Sequence, residues 1–146
     1  MYASLEEARD LYATTCCHPP EEFKPSKEHI ENLKTLASYL ESLPEDYSEF
    51  DILAYFINKN GEPIELRFYE VNVCKTAACA IGHGPLAGIE ASDTDYTWTE
   101  YAQRVFGTDE LTTVEGMYMF SFDNEDGHIP AAKRIREVLD SLLSFN

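Results

Sequence analysis

Cys79 and His83 stand four residues apart, in the stretch Cys74-Lys75-Thr76-Ala77-Ala78-Cys79-Ala80-Ile81-Gly82-His83-Gly84-Pro85. On a continued helix that spacing puts both side chains on one face, where a thiolate could act as nucleophile and the imidazole as its base. Cys74, Cys79 and His83, joined in space by Cys16, Cys17 or His18, have spacing that a zinc site tolerates. Each chemistry asks for more than the chain displays. A triad needs an orienting group and oxyanion donors, and a structural zinc site wants a second spaced pair where this chain has an adjacent Cys-Cys-His. No catalytic residue is expected, with Cys79 and His83 as the alternative, and no metal or cofactor.

Two further patterns bear on ligand binding. The acidic turn Asp123-Asn124-Glu125-Asp126-Gly127 lacks the glycine position and terminal glutamate of an EF-hand loop, and reads as a solvated turn. Thr76 can cap a short helix whose first amides face outward, and such an N-terminus suits a phosphate or carboxylate. Lys75 lies beside it and Arg67 could fold back towards it, so Lys75, Thr76 and Arg67 form a candidate anion site. No P-loop sequence is present.

The elements that would position these residues are mainly helical. Ser4-Leu5-Glu6-Glu7 has capping-box spacing and opens a helix to Thr15. Ser26 caps a second helix with Ile30, Leu33, Leu36, Ala37, Leu40 and Leu43 on one face. Ser48 starts a third, burying Phe50, Leu53 and Phe56. Ile64, Leu66 and Phe68 alternate with polar residues and leave a short strand or hairpin open. Ala77 to Ile81 form a short small-residue helix, apolar all round and so expected at the centre. Thr97-Trp98-Thr99-Glu100 opens a helix ending at Gly107. Another runs from about Glu110, with Leu111, Val114, Met117 and Tyr118 inward. The last starts near Pro130 and presents Ala132, Ile135, Val138, Leu139 and Leu142. The expected fold is a compact, mainly α, single-domain bundle over 1–146, with 1–25 an N-terminal helical addition to a 26–146 core.

Charge narrows the function classes. The 146 residues carry a formal net charge of −16, which argues against direct nucleic-acid binding, since that affinity rests on Lys and Arg neutralising phosphates. Between Glu90 and Asp126, Arg104 alone opposes a run of acids. Glu90, Asp93, Asp95, Glu100, Asp109, Glu110, Asp123 and Asp126 are the candidate surface for a basic protein partner. The start lacks a signal-peptide pattern, and no run of about 20 apolar residues occurs. A cytoplasmic protein with reduced cysteines and no membrane segment is expected.

In its motifs the chain resembles a group of small uncharacterised bacteriophage and bacterial proteins. In that group a segment like Cys-Gly-Thr-x-x-Cys-x-x-Gly lies between a Leu-rich helix and a late Ala-Ala-x-Arg-Ile helix. The matching residues are Cys74, Thr76, Ala78, Cys79, Ala80, Ile81 and Gly82, then Tyr101, Val105, Phe106 and Gly107, then Ala131, Ala132, Arg134 and Ile135. Lys75 stands where the pattern has Gly. The resemblance implies a phage or bacterial origin and brings no established activity. Together these readings point to a non-enzymatic acidic binding protein acting on a host protein. The alternatives are a cysteine- or metal-dependent enzyme and sequestration of a small anion.

Overall fold

The computed structural model describes residues 4–15, 22–46, 80–90, 92, 94, 95, 98–109, 112–120 and 128–143. Within them the chain is mainly helical. Five α-helices are described: α1 (Leu5–Thr15), α2 (Lys27–Ser42), α3 (Trp98–Phe106), α4 (Val114–Phe120) and α5 (His128–Leu143), with a short 3₁₀ turn at Pro85–Ala87. The expected helix from Ser48, the segment from Ile64 to Phe68, and residues 77–79 of the small-residue run lie outside the described residues, as do the side chains of Leu11 and Tyr12.

Helix ends follow local chemistry. Ser4 Oγ accepts from the Glu7 N–H at 3.1 Å, which starts α1. Ser26 Oγ accepts from the His29 N–H at 3.2 Å, and His29 Nδ1 accepts from the Ser26 N–H at 3.1 Å. This is a capping box in which histidine takes the place usually held by Glu or Gln. Leu43 ends α2 in an extended conformation because Pro44 follows it, and the proline ring disfavours helical backbone in the residue before it. Gly107 ends α3 with φ of +79°. A Cβ there would also come within 2.6 Å of His29 Nδ1, so glycine is required twice over.

The expected helix from Glu110 starts later, at Val114. The reason is a pair of side-chain caps: Asp109 Oδ1 accepts from the Thr112 N–H at 3.1 Å, and Thr113 Oγ1 from the Gly116 N–H at 2.8 Å. Thr112 and Thr113 are committed to those caps and do not propagate a helix. Met117, expected inward, is half-buried, while Gly116 is buried.

α2 packs against both α5 and α3; α5 also packs against α4 and α1, which touch each other. Leu33, Leu36, Ala37 and Leu40 of α2 join Ala132, Ile135, Val138 and Leu139 of α5 in one continuous core. At its surface Arg136 fastens the two helices, with Nη2 2.9 Å from both Glu41 Oε1 and Ser38 Oγ. Aromatic rings carry the core from α3 into α4. Trp98 and Tyr101 meet edge-on at 5.8 Å between centroids, and Tyr101 meets Phe106 likewise at 6.2 Å. Phe106 then meets Phe120 at 5.6 Å. Ala80 and Ile81, the described end of the small-residue run, are buried as expected, in turns closed by bonds to the His83 and Gly84 amides.

Candidate functional site

A polar constellation lies where α2 meets α3. The last carbonyls of an α-helix have no partner within it, and α2 supplies two for α3. His29 Nδ1 is occupied as an acceptor, so its Nε2 carries the proton and donates to the Arg104 carbonyl at 3.0 Å. Asn32 Nδ2 donates to the Val105 carbonyl at 2.8 Å.

On the far side of the same turn, Arg104 closes the 89–95 loop onto α3. Its Nη2 and Nε lie 2.7 and 3.0 Å from Asp95 oxygens, and Nη2 also donates to the Glu90 carbonyl at 2.9 Å. The Asp95 side chain is only 3% exposed. Burial alone would raise its carboxyl, but hydrogen bonds from Arg104 and from the Ser92 N–H outweigh that and hold it below the ordinary carboxylate range. The Arg104 guanidinium is raised in turn by its hydrogen bonds to Asp95, with Glu28 adding to the attraction. Tyr101 donates its hydroxyl to the Ile89 carbonyl, and burial pushes that hydroxyl well up. Asp95 is thus held as a buried anion facing a permanent cation, which suits it to fastening the loop rather than to exchanging protons.

A second network fills the corner between α3 and α4. Thr108 Oγ1 and Thr113 Oγ1 lie 2.7 Å apart, and Gln103 Nε2 donates to Asp109 Oδ2 at 2.8 Å and to Thr112 Oγ1 at 3.0 Å. Thr108, Asp109 and Thr113 are almost wholly buried. Every bond in this group shapes the turn into α4.

The residues singled out from sequence are distributed as follows. His83 is fully buried; its N–H bonds to the Ala80 carbonyl at 3.2 Å and its ring lies 6.3 Å from that of Tyr39. Cys79, Lys75, Thr76 and Arg67 lie outside the described residues, as do Asp93, Glu110, Asp123 and Asp126. Glu90 and Glu100 are exposed. Asp95 and Asp109 are not part of any surface: both are buried and bonded within the chain, which corrects their assignment to a partner face.

His29, Gln103, Thr108 and Thr113 escaped the sequence reading. Ser26-x-x-His29 has capping-box spacing, which could have flagged His29. The pairing of Asp95 with Arg104 crosses a loop and leaves no local signal.

Among the described residues, no group of three or more His, Cys, Asp or Glu side chains is placed to hold a metal ion, and no helix is long and apolar enough to cross a membrane. Comparison with protein-family models, with curated proteins and with solved structures returns no match.

Proposed function

We propose that the chain is a non-enzymatic, acidic interaction protein that works by contact with a basic protein partner. If the chain is phage-encoded, that contact would take place in the host cytoplasm. The observation that carries this reading is the distribution of charge between inside and outside. The polar groups buried at the two helix junctions are spent on capping, loop closure and turn formation. Among the described residues, the acidic excess faces outward. It includes Glu6, Glu7 and Asp10 on α1, Glu28, Glu31 and Glu41 on α2, and Glu90 and Glu100 on either side of the loop that Arg104 closes. Glu28 and the Glu90 backbone both lie close to Arg104. The acidic face thus joins the start of α2 to the 89–95 loop. A field of one sign steers an oppositely charged partner and weakens as salt screens it.

No described observation favours the enzyme built on Cys79 and His83 or the anion site at Lys75, Thr76 and Arg67. The test is native mass spectrometry of the protein from its own cells, followed by affinity measurements with the co-purified partner from about 0.05 to about 0.5 M salt. A basic partner whose affinity falls with salt, and falls at low salt in a Glu28→Gln, Glu90→Gln, Glu100→Gln variant, is expected. Salt-independent binding, or a chain that carries a small-molecule or metal adduct and no partner, would overturn the reading.

A further inference from the structure

The two contacts of the His29 ring ask opposite things of it. Nδ1 accepts from the Ser26 N–H at 3.1 Å, which completes the cap of α2, while Nε2 donates to the Arg104 carbonyl at the end of α3, 3.0 Å away. A neutral imidazole offers one acceptor and one donor, and a protonated one offers two donors. Only the neutral ring with its hydrogen on Nε2 can hold both contacts. Nδ1 also lies against the backbone of Gly107, where a Cβ would come within 2.6 Å of it. A hydrogen added at Nδ1 would therefore meet the Ser26 N–H on one side and Gly107 on another.

We propose that His29 is a one-sided, proton-sensitive clasp: protonation releases the Ser26 N–H and opens the start of α2, while the bond to the Arg104 carbonyl is kept. The asymmetry follows from what each end presents. Nε2 carries its hydrogen in both states, and the negative end of the α3 dipole favours the added charge. At the other end two N–H groups would face each other at the positive end of α2, so the Ser26 backbone has to turn away. Ser26 joins α2 to the segment that holds Phe23 in the core, and the opening begins there. Lys27 and Glu28 precede the ring on its own helix, and Glu28 also acts on Arg104. α3 brings the Arg104 guanidinium, which Asp95 holds at 2.7 Å on the side of the 89–95 loop. α5 meets α2 through Arg136 at Ser38 and Glu41, towards the far end of the helix, and the Pro85–Ala87 turn carries no ionisable side chain.

NMR of the full chain from about pH 8 to about pH 5, the span in which histidine side chains change charge, tests this. Ring nitrogen shifts report which nitrogen carries hydrogen, and scalar coupling across the Ser26 N–H···Nδ1 bond reports the bond itself. At the upper end of the range the ring should carry hydrogen on Nε2 alone, with that coupling present. As His29 takes up its second proton the coupling should vanish. Ser26 amide protection, corrected for intrinsic rates, should then fall about two- to tenfold relative to α5 amides, the worth of one hydrogen bond. The Nε2 hydrogen should stay protected throughout. In His29→Gln, whose side-chain oxygen accepts at every pH, Ser26 protection should not change. A ring with its hydrogen on Nδ1 at the upper end, a Ser26 amide equally protected at both ends, loss of the Nε2 bond in acid, or an equal fall in wild type and H29Q would each overturn the proposal.

Discussion

Replacing Gly116 by alanine pits two effects of opposite sign against each other. In an exposed helix interior the change would be favourable by about 1 kcal/mol, because alanine loses less backbone entropy than glycine. Gly116 is buried in the first turn of α4, and a Cβ there would stand 1.9 Å from the Asp109 carbonyl oxygen, 2.5 Å from Thr108 Oγ1 and 3.0 Å from Thr113 Oγ1. The nearest atom is backbone, so no rotamer change relieves the clash. The Asp109 peptide has to move, and the bonds of the Asp109 carboxylate to the Thr112 N–H and to Gln103 Nε2 move with it. Overpacking of this kind costs about 1–3 kcal/mol, and a buried donor or acceptor left unmade costs about 1–3 kcal/mol more. Set against the propensity gain, the net loss should be about 1–5 kcal/mol. Urea unfolding of Gly116→Ala against wild type measures it, with Gly88→Ala as a control. Gly88 has positive φ but nothing within 4 Å of its Cβ position, so only backbone strain of about 1–2 kcal/mol applies there. A G116A midpoint equal to or above wild type would refute the close packing of the 108–116 corner.

Two further outcomes follow from the α2–α3 junction. Asp95→Asn should cost about 1–3 kcal/mol near neutral pH, at the lower end of buried pairs because Arg104 is partly exposed. The Asp95 carboxyl is held below its unfolded value, so the wild-type advantage is complete above the ordinary Asp range of about 3.9 and shrinks as pH falls through the lower folded value; denaturant melts of both proteins between about pH 7 and pH 3 read this difference. His29→Ala removes the Ser26 cap partner and the Arg104 carbonyl donor together and should cost about 1–2 kcal/mol. His29→Gln, which restores a capping-box acceptor, should recover part of it, and equal urea midpoints for the two variants would contradict the capping role.

What sequence conveyed and what it concealed divide along contact range. α2, α3 and α5 were legible because periodicity and end signals are local: Ser26 at the start of α2, Pro44 after Leu43, and Gly107 after Phe106 each act on their immediate neighbours. The start of α4 was misplaced because Thr113 caps it with Gly116, not Glu or Gln, at the third helical position, so the usual capping-box pattern is missing. His29 drew no reading from sequence, and its bond to the Arg104 carbonyl spans 75 positions of chain. No periodicity encodes such a contact. It exists because α2 and α3 bury their apolar faces against one another and bring those ends together.

The same distinction governs how charge should be read. Counting acids along the chain from Glu90 to Asp126 treats each carboxylate as a surface charge, yet two of them turn inward once the helices pack. Asp95 faces the guanidinium of Arg104, the cation that the linear count set against the whole acidic run. Arg104 is therefore largely neutralised from within. Glu90 and Glu100, which remain outside, face solvent without that cation's full opposition. Asp109 is withdrawn at the α3–α4 corner. Meanwhile Glu28, far away in sequence, acts on Arg104 from α2. The proposed acidic surface would thus be assembled across the α2–α3 junction instead of along one segment. A partner that recognises it would read the packed pair of elements, and loosening that junction, as in His29→Ala, should weaken binding even though no charge is removed.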